Sequence, residues 1–91
     1  MGVKVGIHPF LQEFTNGQDT VEVKGKNVRE CLENVDRLFP GFSETVMSPN
    51  RKLFKHIEIY VNGKDASPGE LTKSVTDGDE ISIIFHMGCG G

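Results

Sequence analysis

Between Asn27 and Gly41 the sequence reads NVRECLENVDRLFPG, with apolar residues at Val28, Cys31, Leu32, Val35, Leu38 and Phe39. Counted from Val28, the offsets 0, 3, 4, 7, 10 and 11 trace one face of a helix. Asn27 is placed to act as N-cap, with Glu30 three residues on completing a capping-box-like pair. Pro40-Gly41 stops the helix. A helix with one apolar stripe cannot bury that stripe by itself. The rest of the chain therefore has to supply a surface that covers it.

The flanking segments have a different period. Val3, Val5 and Ile7 alternate with Gly2, Lys4, Gly6 and His8, which predicts a half-buried strand broken at His8-Pro9. Phe10, Leu11 and Phe14 follow, then Asn16-Gly17, a turn dipeptide. Thr20 to Lys24 alternates again, so the two runs form a hairpin. Phe42 to Met47 adds a further helical turn, and Ser48-Pro49-Asn50 is loop. His56 to Val61 reads as a strand closing on the tight turn Asn62-Gly63. Asp65 to Glu70 is a polar loop containing Pro68-Gly69, and Asp77-Gly78-Asp79 makes a second sharp turn. Glu80 to Phe85 is the final strand, with Ile81 and Ile83 on one face and Ile84 on the other.

The order is thus β-β-α, an irregular connector, β, a loop, and β. One mixed sheet with the helix across one face is the economical solution. The first and last strands then lie side by side in the middle, and the last is accordingly the most continuously apolar. That is an α+β chain in the β-grasp, or ubiquitin-like, arrangement. The domain spans residues 1–85, and residues 86–91 (HMGCGG) form a glycine-rich tail.

Composition narrows the function. The chain has 91 residues, 36% hydrophobic and 25% charged, which fits one domain. A domain of this size buries roughly 60–65% of the surface of its unfolded chain, enough for a modest core but not for a deep enclosed active site. Binding, carrying or being modified suits it better than unaided catalysis, so no enzymatic activity is expected. A net charge of −3, a pI near 5.5 and the lack of a basic stripe exclude nucleic acid as a partner. No stretch approaches the roughly 20 apolar residues that span a bilayer. The N-terminus has no apolar h-region, and Gly2 lacks the Ser or Thr that follows in a myristoylation signal. Two cysteines without a CxxC pair point to a reducing cytoplasm.

Candidate chemistry is sparse. His86 and Cys89 have HxxC spacing, but a structural zinc needs about four ligands and no second pair lies near, so no metal is expected. His8 and His56 sit at strand edges without an evident partner and read as solvent-exposed. Cys31 shares the helix's apolar face and reads as a small core residue. Cys89 is flanked by glycines, where nothing structural calls for a thiol; an exposed thiol, with a pKa of about 8.5, stays mostly protonated at neutral pH. The run RKLFKH, Arg51 to His56, is the one basic cluster and reads as solvated loop or as a docking patch for an acidic partner. Gly90-Gly91 carries the sharpest implication. Without Cβ atoms the end is slim enough to thread a narrow channel and present its carboxylate for activation.

The segment VTDGDEISIIF…GG, Val75 to Gly91, resembles the ending of the ubiquitin-like sulfur-carrier proteins (MoaD/ThiS-like). Ile59-Tyr60-Val61-Asn62-Gly63-Lys64-Asp65 is similar to their strand and turn, and FSETVMSPNRKLFKHIEIYVNGKD is most similar to the carrier of cysteine biosynthesis. The resemblance spans nearly the whole chain. It implies that Gly91 is adenylated by an activating enzyme that uses ATP, then converted to a thiocarboxylate. The sulfur would pass to an acceptor enzyme such as a cysteine synthase, the molybdopterin synthase large subunit or a thiazole synthase. Gly90, Cys89 and Gly88 would lie in the partner's tail channel. Tyr60, Ile84, Phe85 and His86 would contact partners, and no cofactor would be bound. The interval Phe85-His86-Met87-Gly88-Cys89 replaces the one or two prolines usual there and is about one residue longer. A ubiquitin-like modifier conjugated through Gly91, a molybdopterin synthase small subunit and a plain β-grasp binding module are the alternatives.

Overall fold

The computed structural model describes residues 2–49, 53–54, 56–66 and 69–85. Its elements are β1 (Val3–Gly6), β2 (Thr20–Val23), α1 (Val28–Leu38), α2 (Ser43–Val46), β3 (Ile57–Val61), β4 (Lys64–Asp65) and β5 (Glu80–Phe85). Two short 3₁₀ helices lie between strands, Pro9–Thr15 inside the β1–β2 hairpin and Glu70–Thr72 before β5. The strands form one five-stranded sheet in the order β2-β1-β5-β3-β4. β1 and β5 pair in parallel, with Val5 opposite Ile81, and the other pairs are antiparallel. The mixed sheet, the single long helix and the central β1–β5 pair are those of the β-grasp arrangement.

Alternation places Val3, Val5, Val21, Val23, Ile57, Ile59, Val61, Ile81 and Ile83 on one buried face. Against it α1 turns Val28, Cys31, Leu32 and Val35, all fully buried. Leu38 departs from the expected stripe and is 59% exposed. At about 100° per residue it lies roughly 80° from the stripe's centre, in the last turn, so it overhangs the sheet's cover. Phe39 has left helical geometry (φ −134°, ψ 83°) and packs on the core as a half-buried ring.

The N-terminus of α1 is capped nearly as the sequence predicts. Glu30 N–H donates to Asn27 Oδ1 at 2.8 Å. Glu30's carboxylate, however, accepts from Lys26 N–H at 2.9 Å, one residue earlier than in a capping box. The cause is the extended backbone of Asn27 (φ −148°, ψ 174°), which aligns residues 26–28 with 73–75. Val28 N–H donates to the Lys73 carbonyl and Val75 N–H to the Lys26 carbonyl, each at 3.0 Å. One of the helix's orphan donors is thereby satisfied by a strand-like partner. At the other end, Asp36 Oδ1 accepts from Gly41 N–H, Ser43 N–H and Ser43 Oγ at 3.0–3.1 Å, clasping α2 to α1.

Candidate functional site

In the sequence the tail follows β5 directly, so the site is built on what holds β5. At its start it lies between two strands: β1 pairs with it from Glu80 to Ser82, and β3 from Ile81 to Phe85. The turns preceding β5 and following β3 are locked together. Asn62 Nδ2 donates to Asp79 Oδ1 at 3.1 Å, and Glu80 N–H donates to Asn62 Oδ1 at 2.9 Å. Asp79 also accepts from Thr76 N–H at 2.9 Å. That backbone donor, and then Asn62, hold the Asp79 carboxyl below its ordinary range. Asn62 and Gly63 both have positive φ, 53° and 82°, as a two-residue hairpin turn demands.

On the sheet's outer face Tyr60 lies opposite Ser82. With Gly63 and Ile84 these residues line an open depression of about 290 Å³. Ile84 is 39% exposed although its neighbour Ile83 is buried. The structure thus brings Tyr60 and Ile84 together on one accessible face. Phe85 alternates to the other side, where it packs partly buried against the core cluster. It is enclosed there by rings: His8 stacks on it at 4.9 Å (interplanar 14°), with Phe10 edge-on at 5.7 Å and His56 edge-on at 5.5 Å.

Over residues 9–91, 83 of the chain's 91 residues, the sequence matches the ThiS family.

 The match takes in α1, α2 and β2 to β5, while β1 precedes it. The chain belongs to the ThiS family. Sulfur carrier protein CysO of Mycobacterium tuberculosis is 32% identical over 87 residues, covering 92% of this chain and 94% of the relative. A chain in the crystal structure of the Amycolatopsis orientalis BexX/CysO complex superposes with a TM-score of 0.88 at 32% identity, covering 94% of this chain and 97% of that one. Small archaeal modifier protein 1 of H. volcanii gives a TM-score of 0.73 at 25% identity, covering 89% and 92%.

For this ThiS-family chain, the expected tail residues His86, Gly88, Cys89, Gly90 and Gly91 lie outside the described residues, as do Arg51, Lys52 and Lys55 of the basic run. Within that run Leu53 and Phe54 pack half-buried against the core, so it is not simply solvated loop. His56 is exposed as expected, and its ring stacks on Phe54 at 5.5 Å. His8 is a correction. It is half-buried rather than exposed, because Phe85 and Phe10 take its ring at 4.9 and 4.8 Å. Cys31 is fully buried, and burial, with Glu30 adding to it, pushes its thiol up to about 11. Among the described residues no group of three or more His, Cys, Asp or Glu could hold a metal, and no helix is long and apolar enough to cross a membrane. The ring cluster and the Asn62–Asp79 lock were not foreseen from the sequence. Both turns of the lock were visible as turn signals, but their contact joins residues 17 apart.

Proposed function

We propose that this chain is a sulfur carrier whose working group is the Gly91 carboxylate. A partner enzyme adenylates it: a carboxylate oxygen attacks the α-phosphorus of ATP, and pyrophosphate leaves. Hydrosulfide then attacks the acyl carbon and AMP leaves, so that a C–S bond replaces the C–O bond to AMP and gives a thiocarboxylate that an acceptor enzyme consumes. The carboxylate is a poor acyl donor, and the anhydride supplies the leaving group that it lacks. The chain is a co-substrate in this cycle, not a catalyst.

The observation that carries this reading is the match to the ThiS family through residue 91, together with 32% identity to sulfur carrier protein CysO over 87 residues. That relative favours the cysteine type of carrier over the molybdopterin and thiamine types. The geometry supports it, since a strand in the middle of the sheet makes a rigid base for the segment that follows. Tyr60 and Ile84 provide the docking face for the activating enzyme, and the complex of the Amycolatopsis relative with BexX supports a protein partner. Gly88, Cys89 and Gly90 occupy the partner's channel, with Cys89 a passenger.

Intact-mass measurement on chain purified from its native host is expected to show an oxygen-to-sulfur increment, retained in Cys89→Ala and lost when Gly90 and Gly91 are deleted. The carrier reading falls if the deletion leaves the mass pattern unchanged. A second reading is favoured by the likeness to small archaeal modifier protein 1. Gly91-dependent ladders of larger conjugates would identify a modifier.

A further inference from the structure

Three segments far apart in sequence meet at Phe85, the last residue of β5. His8 and Phe10 come from the chain leaving β1, and Phe54 and His56 from the chain entering β3. The His8 ring is held by backbone nearby, and His56 by the turn it lies in and by a neighbouring ring. His8 Nδ1 accepts from Phe10 N–H at 3.1 Å while its carbonyl accepts from Leu11 N–H at 2.7 Å. His56 lies in a turn closed by Ile57 N–H donating to the Phe54 carbonyl at 3.0 Å, with the Phe54 ring stacked on it.

Their position matters because of how the β1–β5 ladder ends. It stops at Gly6 opposite Ser82, so the paired register of Ile83 to Phe85 rests on β3 alone. A strand end paired on one side frays readily. Here the parallel stack of His8 on Phe85 and the edge-on contacts of Phe10 and His56 close over it, in geometries that favour aromatic pairs. Phe85 also faces away from the Tyr60–Ile84 depression, so it is poorly placed to share their docking role.

We propose that Phe85 is a positioning residue: the His8–Phe10–His56 rings pin it so that the chain leaves β5 in a fixed direction from a fixed point. The proposal rests on the carrier reading for its functional meaning. Each backbone residue that has to be ordered at the moment of threading lowers the productive fraction roughly 5- to 30-fold. Pinning Phe85 settles the last residue of the strand beforehand, which leaves only the tail to be ordered in the partner's channel. The rings act on the rate of activation through the strand end from which the tail departs.

The test follows the initial rate of thiocarboxylate loading in the native host by intact mass. Phe85→Ala and the ring-free but apolar Phe85→Leu are each expected to load at least about fivefold more slowly than wild type. Phe85→Tyr, which keeps the ring, is expected to load within twofold of wild type, a rescue that apolar burial alone does not explain. His8→Asn keeps a capping acceptor and loses the ring, with β5 untouched, and is expected to slow loading too. Amide order parameters give a readout independent of any partner: those of Ile84 and Phe85 should fall from near 0.85 toward 0.6 in Phe85→Leu and His8→Asn. Wild-type loading in Phe85→Leu, or unchanged order at both amides, overturns the proposal. Absence of loading in wild type overturns the carrier reading instead, and the order parameters then decide the pinning by themselves.

Discussion

Asn62 does two things that few residues can do together. It holds a left-handed backbone (φ 53°), and its side-chain amide bridges Asp79 and the Glu80 amide. Asn62→Gly keeps the backbone freedom and loses the bridge, whereas Asn62→Ala loses both. Urea titration is expected to place Asn62→Ala about 1–2 kcal/mol below wild type, with Asn62→Gly between the two. Asp79 adds a pH signature. Its native carboxyl titrates below its ordinary value of 3.8, so its contribution is present above that value and fades as the pH falls through the native one. Cys31 has the opposite sign. Its thiol titrates near 11 instead of 9.0, so its contribution is whole below about 9 and is lost as pH rises toward 11. In a Cys89→Ala background, native chain at pH 8 is expected to resist iodoacetamide and to be alkylated at Cys31 once unfolded, as mass analysis will show.

At the scale of elements, a close fit lies where β2 hands over to α1. A Cβ on Gly25 would stand 2.7 Å from Cys31 Sγ and 2.9 Å from Cys31 N. Gly25→Ala is therefore expected to cost about 1–3 kcal/mol in thermal or urea unfolding. Adding Cys31→Ala should fail to restore stability, because the clash with the backbone nitrogen remains; full restoration would show that the sulfur alone sets the fit. The helix itself was legible, since 11 residues with a helical period, a cap and a Pro-Gly stop have few other readings. So were the hairpin and the two sharp turns. β4, only two residues long, has no period to detect, and Pro9–Thr15 showed a proline and scattered aromatics where a 3₁₀ helix formed. The ring cluster at Phe85 left no local trace, because its members become neighbours only when β1, β3 and β5 share a sheet.

Across the whole molecule the two sheet faces have separate tasks. One carries the core, and the other presents Tyr60, Ser82 and Ile84 around an open depression. Ile84→Lys should then separate binding from folding. Its unfolding midpoint is expected to correspond to a change of less than about 1 kcal/mol, while thiocarboxylate loading drops at least tenfold. A large loss of stability with normal loading would place the docking face elsewhere. The parallel pairing of Val5 with Ile81 has a consequence of another kind. These strands are among the most distant in the sequence, yet each lies beside the other at the centre of the sheet, so β1 stays without its inner neighbour until β5 has been made. Pairing at such separation is slow and cooperative. A growing chain therefore cannot complete the Tyr60–Ser82–Ile84 face before β5 is in place, so that surface exists only on the finished fold.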